Sequence, residues 1–269
     1  MCGYKGKIIN GGFGLERLVV VGMSSKPKTL RWLILALVAF FIFVVLQVPA
    51  AWLISKFYKN NQTLHNVNGN IWQGSADWKK GNLRGSLNWK VRPLDLLLLR
   101  VGAHVDLHSG NTQLSGIMAY GLNKSLIVKN LEGQIAPETL KKLADWQWPS
   151  TAIQFKDLDF KYKKEQGFSQ VAGQMQWAGG ELIYTFAQRQ ERMNVPAMTG
   201  KLADESGQLL VDVRDSRDQR MLNIKLDPSL MLDIQLTQRF LMNAPSYEGK
   251  AGLDTYVIST RQPLMGGLN

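Results

Sequence analysis

From Leu33 to Ile54 the chain reads LILALVAFFIFVVLQVPAAWLI, 22 positions in which Gln47 is the only strongly polar residue. At about 1.5 Å per residue a helix of this length covers roughly 33 Å, against a hydrocarbon core of about 30 Å. Trp32 and Trp52 stand near its two ends, where amphipathic rings favour the interface, and Pro49 falls in the last turns, where a kink is tolerated. The run therefore predicts a transmembrane anchor over 33–54. On its N-terminal side Arg17, Lys26, Lys28 and Arg31 outnumber Lys56 and Lys59 on the other. The positive-inside rule then predicts a single-pass inner-membrane protein with a cytoplasmic N-terminus and a C-terminal domain in the periplasm of a double-membraned bacterium. A cleaved signal peptide is the competing reading, because Val48-Pro49-Ala50 loosely fits a small-residue cleavage site. Signal h-regions run about 7 to 15 residues and this one is longer, which favours an uncleaved anchor.

The segments on either side follow from that anchor. Residues 1–22, MCGYKGKIINGGFGLERLVVVG, resemble neither a targeting peptide nor a domain, whereas Met23 opens a short basic run, 23–32, leading into the apolar segment. The expectation is that translation begins at Met23. Residues 60–260 are expected to form a periplasmic β domain, with 261–269 as a tail.

Charge distribution separates two function classes. The 32 Lys and Arg against 21 Asp and Glu suggest a nucleic-acid binder, but residues 1–59 hold eight cations against Glu16 alone. The excess brackets the apolar segment instead of marking a folded surface, so no nucleic-acid partner is expected. The single cysteine, Cys2, excludes disulfide scaffolds and cysteine-ligated metal centres.

Beyond residue 60 the dominant period is two, the signature of half-buried strands. Val101, Ala103, Val105 and Leu107 alternate with Gly102, His104, Asp106 and His108, and similar alternation recurs through Leu83, Leu87 and Trp89, Leu182, Tyr184 and Phe186, and Leu222, Ile224 and Leu226. In TAIQFKDLDFKYK the apolar phase jumps from Ile153 and Phe155 to Leu158, Phe160 and Tyr162, which predicts a bulge near Lys156. Helical signal is confined to Pro93–Arg100, one or two turns, and to Pro137–Trp146, with proline at its first position and a short apolar stripe of Leu140, Leu143 and Ala144. The second helix is expected to cap an open sheet end. The fold class is thus mostly β: one N-terminal transmembrane helix, then a curved antiparallel sheet with one or two short helices.

Candidate chemistry is sparse. His104, Asp106 and His108 share one strand face, as a metal site requires, but alternate with apolar residues that need a core face, so a solvated polar face is the simpler reading. Asp157 with Asp159, and Asp204 with Glu205, are carboxylate pairs in turn-like surroundings. Arg214-Asp-Ser-Arg217-Asp-Gln-Arg220 reads as a hairpin loop. No catalytic residue, cofactor or metal is expected, and the protein is expected not to be an enzyme. Six tryptophans, Trp72, Trp78, Trp89, Trp146, Trp148 and Trp177, lie beyond the anchor; any that line an open sheet would form an apolar groove able to take a lipid chain or a partner strand.

One pattern recurs. Gly69-Asn-Ile-Trp72-Gln-Gly74 returns as Gly173-Gln-Met-Gln-Trp177-Ala-Gly179-Gly180, and the longer segments Gly69–Pro93 and Gly173–Pro196 suggest two related halves. The run from Val67 to Ala76 just after an anchor, followed by Leu83, Leu87, Trp89 and Pro93 and later by the second glycine–tryptophan segment, resembles protein N of the bacterial type II secretion system, also called general secretion pathway protein N. The resemblance implies a non-enzymatic inner-membrane part of the machinery that exports folded proteins across the outer membrane, with the other inner-membrane and periplasmic components as partners. It carries Gly69, Trp72, Gly74, Trp89, Pro93, Gly173, Trp177, Gly179 and Gly180 as structural motif positions. The family is distantly similar to AsmA-type envelope proteins, which implies the alternative of a membrane-anchored periplasmic protein that binds or handles lipid.

Overall fold

Pro49 decides the first feature of the computed structural model, which describes residues 27–57, 63–143, 148, 150–186 and 188–264. Proline lacks an amide N–H and disfavours a helical residue before it. The apolar run is accordingly two helices, α1 at Pro27–Gln47 and α2 at Ala50–Phe57. In α1 the window Leu30–Gln47 is apolar and has no buried residue. Its 18 residues cover about 27 Å, long enough to cross a membrane. The chain divides into two units, one ending at Val45 and one beginning at Leu46.

The second unit is built on strands. They run β1 (Leu64–Gly69), β2 (Gln73–Lys80), β3 (Leu83–Val91), a short helix α3 (Pro93–Leu96), β4 (Arg100–Ser109), β5 (Thr112–Gly121) and β6 (Ser125–Ile135). Helix α4 (Pro137–Leu143) precedes β7 (Ile153–Lys163) and β8 (Gly167–Trp177), and β9 (Gly180–Phe186) and β10 (Arg189–Val195) follow. The chain ends through β11 (Met198–Glu205), β12 (Gln208–Asp215), β13 (Arg220–Leu226), β14 (Met231–Thr237), helix α5 (Gln238–Leu241) and β15 (Tyr256–Pro263). Among the described residues thirteen strands form one antiparallel sheet in sequence order, with β8 beside β11, while β9 and β10 form a separate pair. The sheet is open, and β1 and β15 are its two outer strands. Tight turns join neighbours: between β11 and β12, Ser206 (φ 52°) and Gly207 (φ 79°) both take positive φ, as a two-residue turn matched to strand twist requires.

Cross-strand register sorts the side chains onto two faces. Trp89 lies opposite Val105, Met118 opposite Val128, Val128 opposite Phe160, Ile153 opposite Trp177, Trp177 opposite Met198, and Val211 opposite Ile224, so one face is apolar from β2 to β14. Tryptophan and glycine exchange places across the β2–β3 hairpin: Trp89 is opposite Gly74 and Trp78 opposite Gly85, and a methyl group on either glycine would run into the ring. The ring therefore covers the glycine of the neighbouring strand, which lets both backbones bend.

The predicted phase slip in β7 is present. Asp157 takes φ 50° and the register shifts between Lys156 and Asp159, which returns Leu158, Phe160 and Tyr162 to the apolar face. Companion shifts occur at Asn66 in β1, Asn130 in β6 and Gln170 in β8, each residue at positive φ. Carboxylates serve the amides around them: Asn130 N–H donates to Asp159 Oδ1 and Val171 N–H to Asp204 Oδ1, both at 2.7 Å.

Three observations show where the core lies. The β9–β10 hairpin and α5 form a second layer over β8 and β11–β13, burying Leu182, Met193, Val195 and Phe240 with Trp177, Met198, Val211 and Val213. Phe168 and Val171 of β8 share another cluster with Leu226 and Leu232 of β13 and β14. A flat sheet would hold β8 and β13 about 14 Å apart, so the sheet bends there with its apolar face inside. Helix α4 lies against β3 with Leu140 buried, and the Thr112 hydroxyl donates to Thr139 Oγ1 at 2.8 Å.

The last hairpin is held by Asp227. Its Oδ1 accepts from the Ser229 hydroxyl and from the amides of Ser229 and Met231, while Oδ2 takes Arg261 Nη2 of β15 at 2.7 Å. The Ser229 hydroxyl first, then the Met231 amide, hold this carboxyl below its usual range. A depressed folded value stabilises above the ordinary Asp pKa of about 3.9, and that stabilisation is lost as pH falls through the folded value. Asp227→Ala is therefore expected to cost about 1–2 kcal/mol at neutral pH. In denaturant titrations repeated at falling pH, its deficit relative to the native chain should shrink once the pH is below about 4.

Candidate interaction surfaces

Successive strand connections stand side by side along one end of β1–β5. The Val48 carbonyl accepts from Ile71 N–H, Pro49 bridges Asn70, Trp72 O accepts from Val91 N–H, Gly102 O from Arg92 N–H and Leu99 O from Leu122 N–H. At this end the α3 loop inverts the usual arrangement of a loop. Its one acid, Asp95, is 3% exposed and receives Arg100 Nη2 at 2.6 Å and Arg92 Nε at 3.5 Å, while Leu97 and Leu122 are 80% and 78% exposed. Gly102 makes room for the Asp95 carboxyl, which a methyl group there would meet directly. Leu99 takes φ 54°, a conformation that costs an L side chain about 1–2 kcal/mol. In the sequence PLDLLLLR reads as one or two helical turns; its exposure depends on strands beyond itself, and the local signal is five leucines between Arg92 and Arg100.

The two faces of the sheet offer different chemistry. On β3–β7 the apolar face is half-buried, at Leu87, Trp89, Val105, Leu114, Leu131 and Phe155 for example. The opposite face carries a polar row across strands, Ser86, His108, Gln113, Gln134, Gln154, Gln176 and Thr199, each opposite the next. An open groove lies along it, lined by Gln113, Glu132, Gln134, Gln154, Lys156 and Gln176.

The residues singled out in the sequence fall in two separate places. Gly69 (φ 88°) ends β1, Trp72 sits in the following turn with its amide on Asn70 Oδ1, Gly74 is the second residue of β2, against the ring of Trp89, and Pro93 is the first residue of α3. Gly173 (φ 122°) lies mid-strand in β8 against the Asp157 bulge, and Trp177 closes that strand with its indole N–H on Thr151 Oγ1. Gly179 and Gly180, at φ 83° and 133°, turn the chain out of the sheet into β9. Trp146 lies outside the described residues.

The titratable clusters are explained by local bonding. His104 Nε2 stands 3.5 Å from Asp106 Oδ1, which takes the Ser115 hydroxyl at 2.6 Å, and His108 lies opposite Gln113. Among the described residues no three His, Cys, Asp or Glu side chains converge as a metal requires. Glu191 of β10 accepts from the Ser246 and Tyr184 hydroxyls, which hold its carboxyl below the usual range. A carboxylate so held is a weak base, suited to tying the hairpin to the 242–255 loop. Arg214 pairs with Asp212 at 2.9 Å, and Asp215 Oδ1 caps the turn to β13 through the Arg217 and Gln219 amides.

The described residues thus form an apolar helix followed by an open antiparallel sheet whose polar clusters are bonded locally. Residues 60–245 match the family model described as type II secretion system, protein N, and the chain belongs to that family. No curated protein and no solved structure matches it.

Proposed function

We propose that the protein is a non-enzymatic component of type II secretion, held in the inner membrane by α1 with a cytoplasmic N-terminus and the sheet domain in the periplasm. The family match over 60–245 carries this reading. The open sheet supports it, because β1 and β15 are its outer strands among the described residues and an outer strand is where a strand from another envelope component can be added. Gly69, Gly74, Trp89, Gly173, Trp177 and Gly179 then serve as structural positions that let the sheet bend and let the hairpin leave it. In a strain lacking this chain, an exported enzyme is expected to accumulate in the periplasm, and expression from Met23 onward should restore it to the medium. Normal export in the deletion strain would refute the proposal.

A second reading, an anchored lipid-handling protein, is favoured by the half-buried apolar face of β3–β7. It expects the full chain, extracted and purified, to carry acyl lipid in native mass spectra and to lose it when Phe155 and Leu131 are changed to polar residues.

A further inference from the structure

The leucines of the α3 loop are not explained by packing within the chain. Leu94, Leu97, Leu98, Leu99 and Leu122, with Tyr120 beside them, are all more than half exposed. They come from two adjoining connections joined by the Leu122–Leu99 backbone bond at 3.1 Å. A soluble loop buries its apolar side chains and hydrates its charges; this one buries Asp95 and turns its leucines outward, in a backbone held in place by two arginines. Contiguous apolar surface of this kind marks a docking site.

Two features identify what docks there. The first is charge. Around the leucines stand Lys90, Arg92, Arg100 and Lys124, while the one acid in Lys90–Val101 is the buried Asp95 and Gly121–Lys129 holds none. Leucine tips ringed by cations match an anionic bilayer interface, where the apolar groups enter the acyl boundary and the cations meet headgroup phosphates. The second is the tether. Val48, bonded to Ile71 at the same end of the sheet, directly follows Gln47, the last residue of the apolar helix. Adjacent strands are about 4.8 Å apart, so the loop after β3 lies within three strand spacings of that attachment.

We propose that this end of the sheet, through the leucines of 94–99 and Leu122, seats on the surface of the membrane that anchors the chain, and that its ligand is an anionic phospholipid bilayer. The proposal rests on the reading of α1 as a membrane anchor, and the test separates the two. The full chain, with Cys2 replaced by Ser, is reconstituted into vesicles of phosphatidylcholine and phosphatidylglycerol. A single environment-sensitive fluorophore is placed in turn at Leu97→Cys, Leu122→Cys, Leu37→Cys in α1, and Ser216→Cys in the β12–β13 turn. All four positions are exposed, so the variants keep the fold. Nitroxide-labelled lipid should quench the probes at 37, 97 and 122, and leave the probe at 216 unquenched. Quenching at 37 with none at 97 and 122 would overturn the proposal alone and leave the leucines to a protein partner. Absence of quenching at 37 would overturn the anchor as well. With phosphatidylcholine as the sole lipid, quenching at 97 and 122 should fall while that at 37 is unchanged; equal quenching at 97 and 122 in both lipids would refute the role assigned to the cations.

Discussion

Trp177→Ala is expected to destabilise the sheet domain by about 3–5 kcal/mol, the range for truncating a large buried aromatic residue. Trp177 is 7% exposed and packs between the sheet and the β9–β10 hairpin, touching the cluster that holds Leu182, Met193, Val195 and Met198. Removing the ring leaves a cavity whose walls belong to two layers, and the Thr151 hydroxyl loses the indole N–H while keeping its own bond to the Gly179 carbonyl. Trp177→Phe keeps most of the apolar volume and loses only that bond, so its deficit should be smaller. Denaturant midpoints of the full chain in nanodiscs would measure both. A near-native midpoint for the alanine variant would mean that the hairpin does not depend on this contact.

Asp95→Ala should rank second, at about 2–3 kcal/mol. Breaking a buried ion pair costs about 3–5 kcal/mol when the surviving charge stays buried, and the partly exposed Arg92 and Arg100 can recover some hydration. The second consequence is local. Without the carboxylate nothing holds Arg100 to the loop, and the strained Leu99 backbone is free to relax. Proteolysis between Arg92 and Arg100 should therefore accelerate before the sheet unfolds, whereas Asp106→Ala, on the exposed polar face, should leave that cleavage unchanged.

Much of the sheet can be read from single strands. Alternation names the apolar positions of β3, β4 and β13, and the slip after Phe155 locates a bulge within one residue, because a period of two leaves no other way to keep Leu158 and Phe160 on the core side. The turns before α3 and α4 are marked by Pro93 and Pro137. What is not legible is pairing over distance. Leu182 and Tyr184 alternate as any strand does, yet β9 leaves the sheet and packs over it, with Gly179 and Gly180 as the local sign. The division of the apolar run at Pro49 reflects a contact with Asn70 as much as the proline itself. The polar row of Gln113, Gln134, Gln154 and Gln176 exists only once four strands are in register. The leucine loop is of the same kind: the sequence announces five leucines between Arg92 and Arg100, and the neighbouring strands decide that they face outward.

The plain succession of strands has a consequence for how the molecule is made. From β1 to β8 every strand pairs with the one synthesised just before it, and none waits for a distant segment. A chain delivered N-terminus first can add strands in order, each completed hairpin covering the edge left by the last. Among the described strands the order of pairing skips once, at β8, whose edge stays open until the twenty residues of the β9–β10 excursion have passed and Met198 arrives opposite Trp177. Assembly should therefore proceed steadily to β8, pause there, and resume once the hairpin folds down upon the completed half.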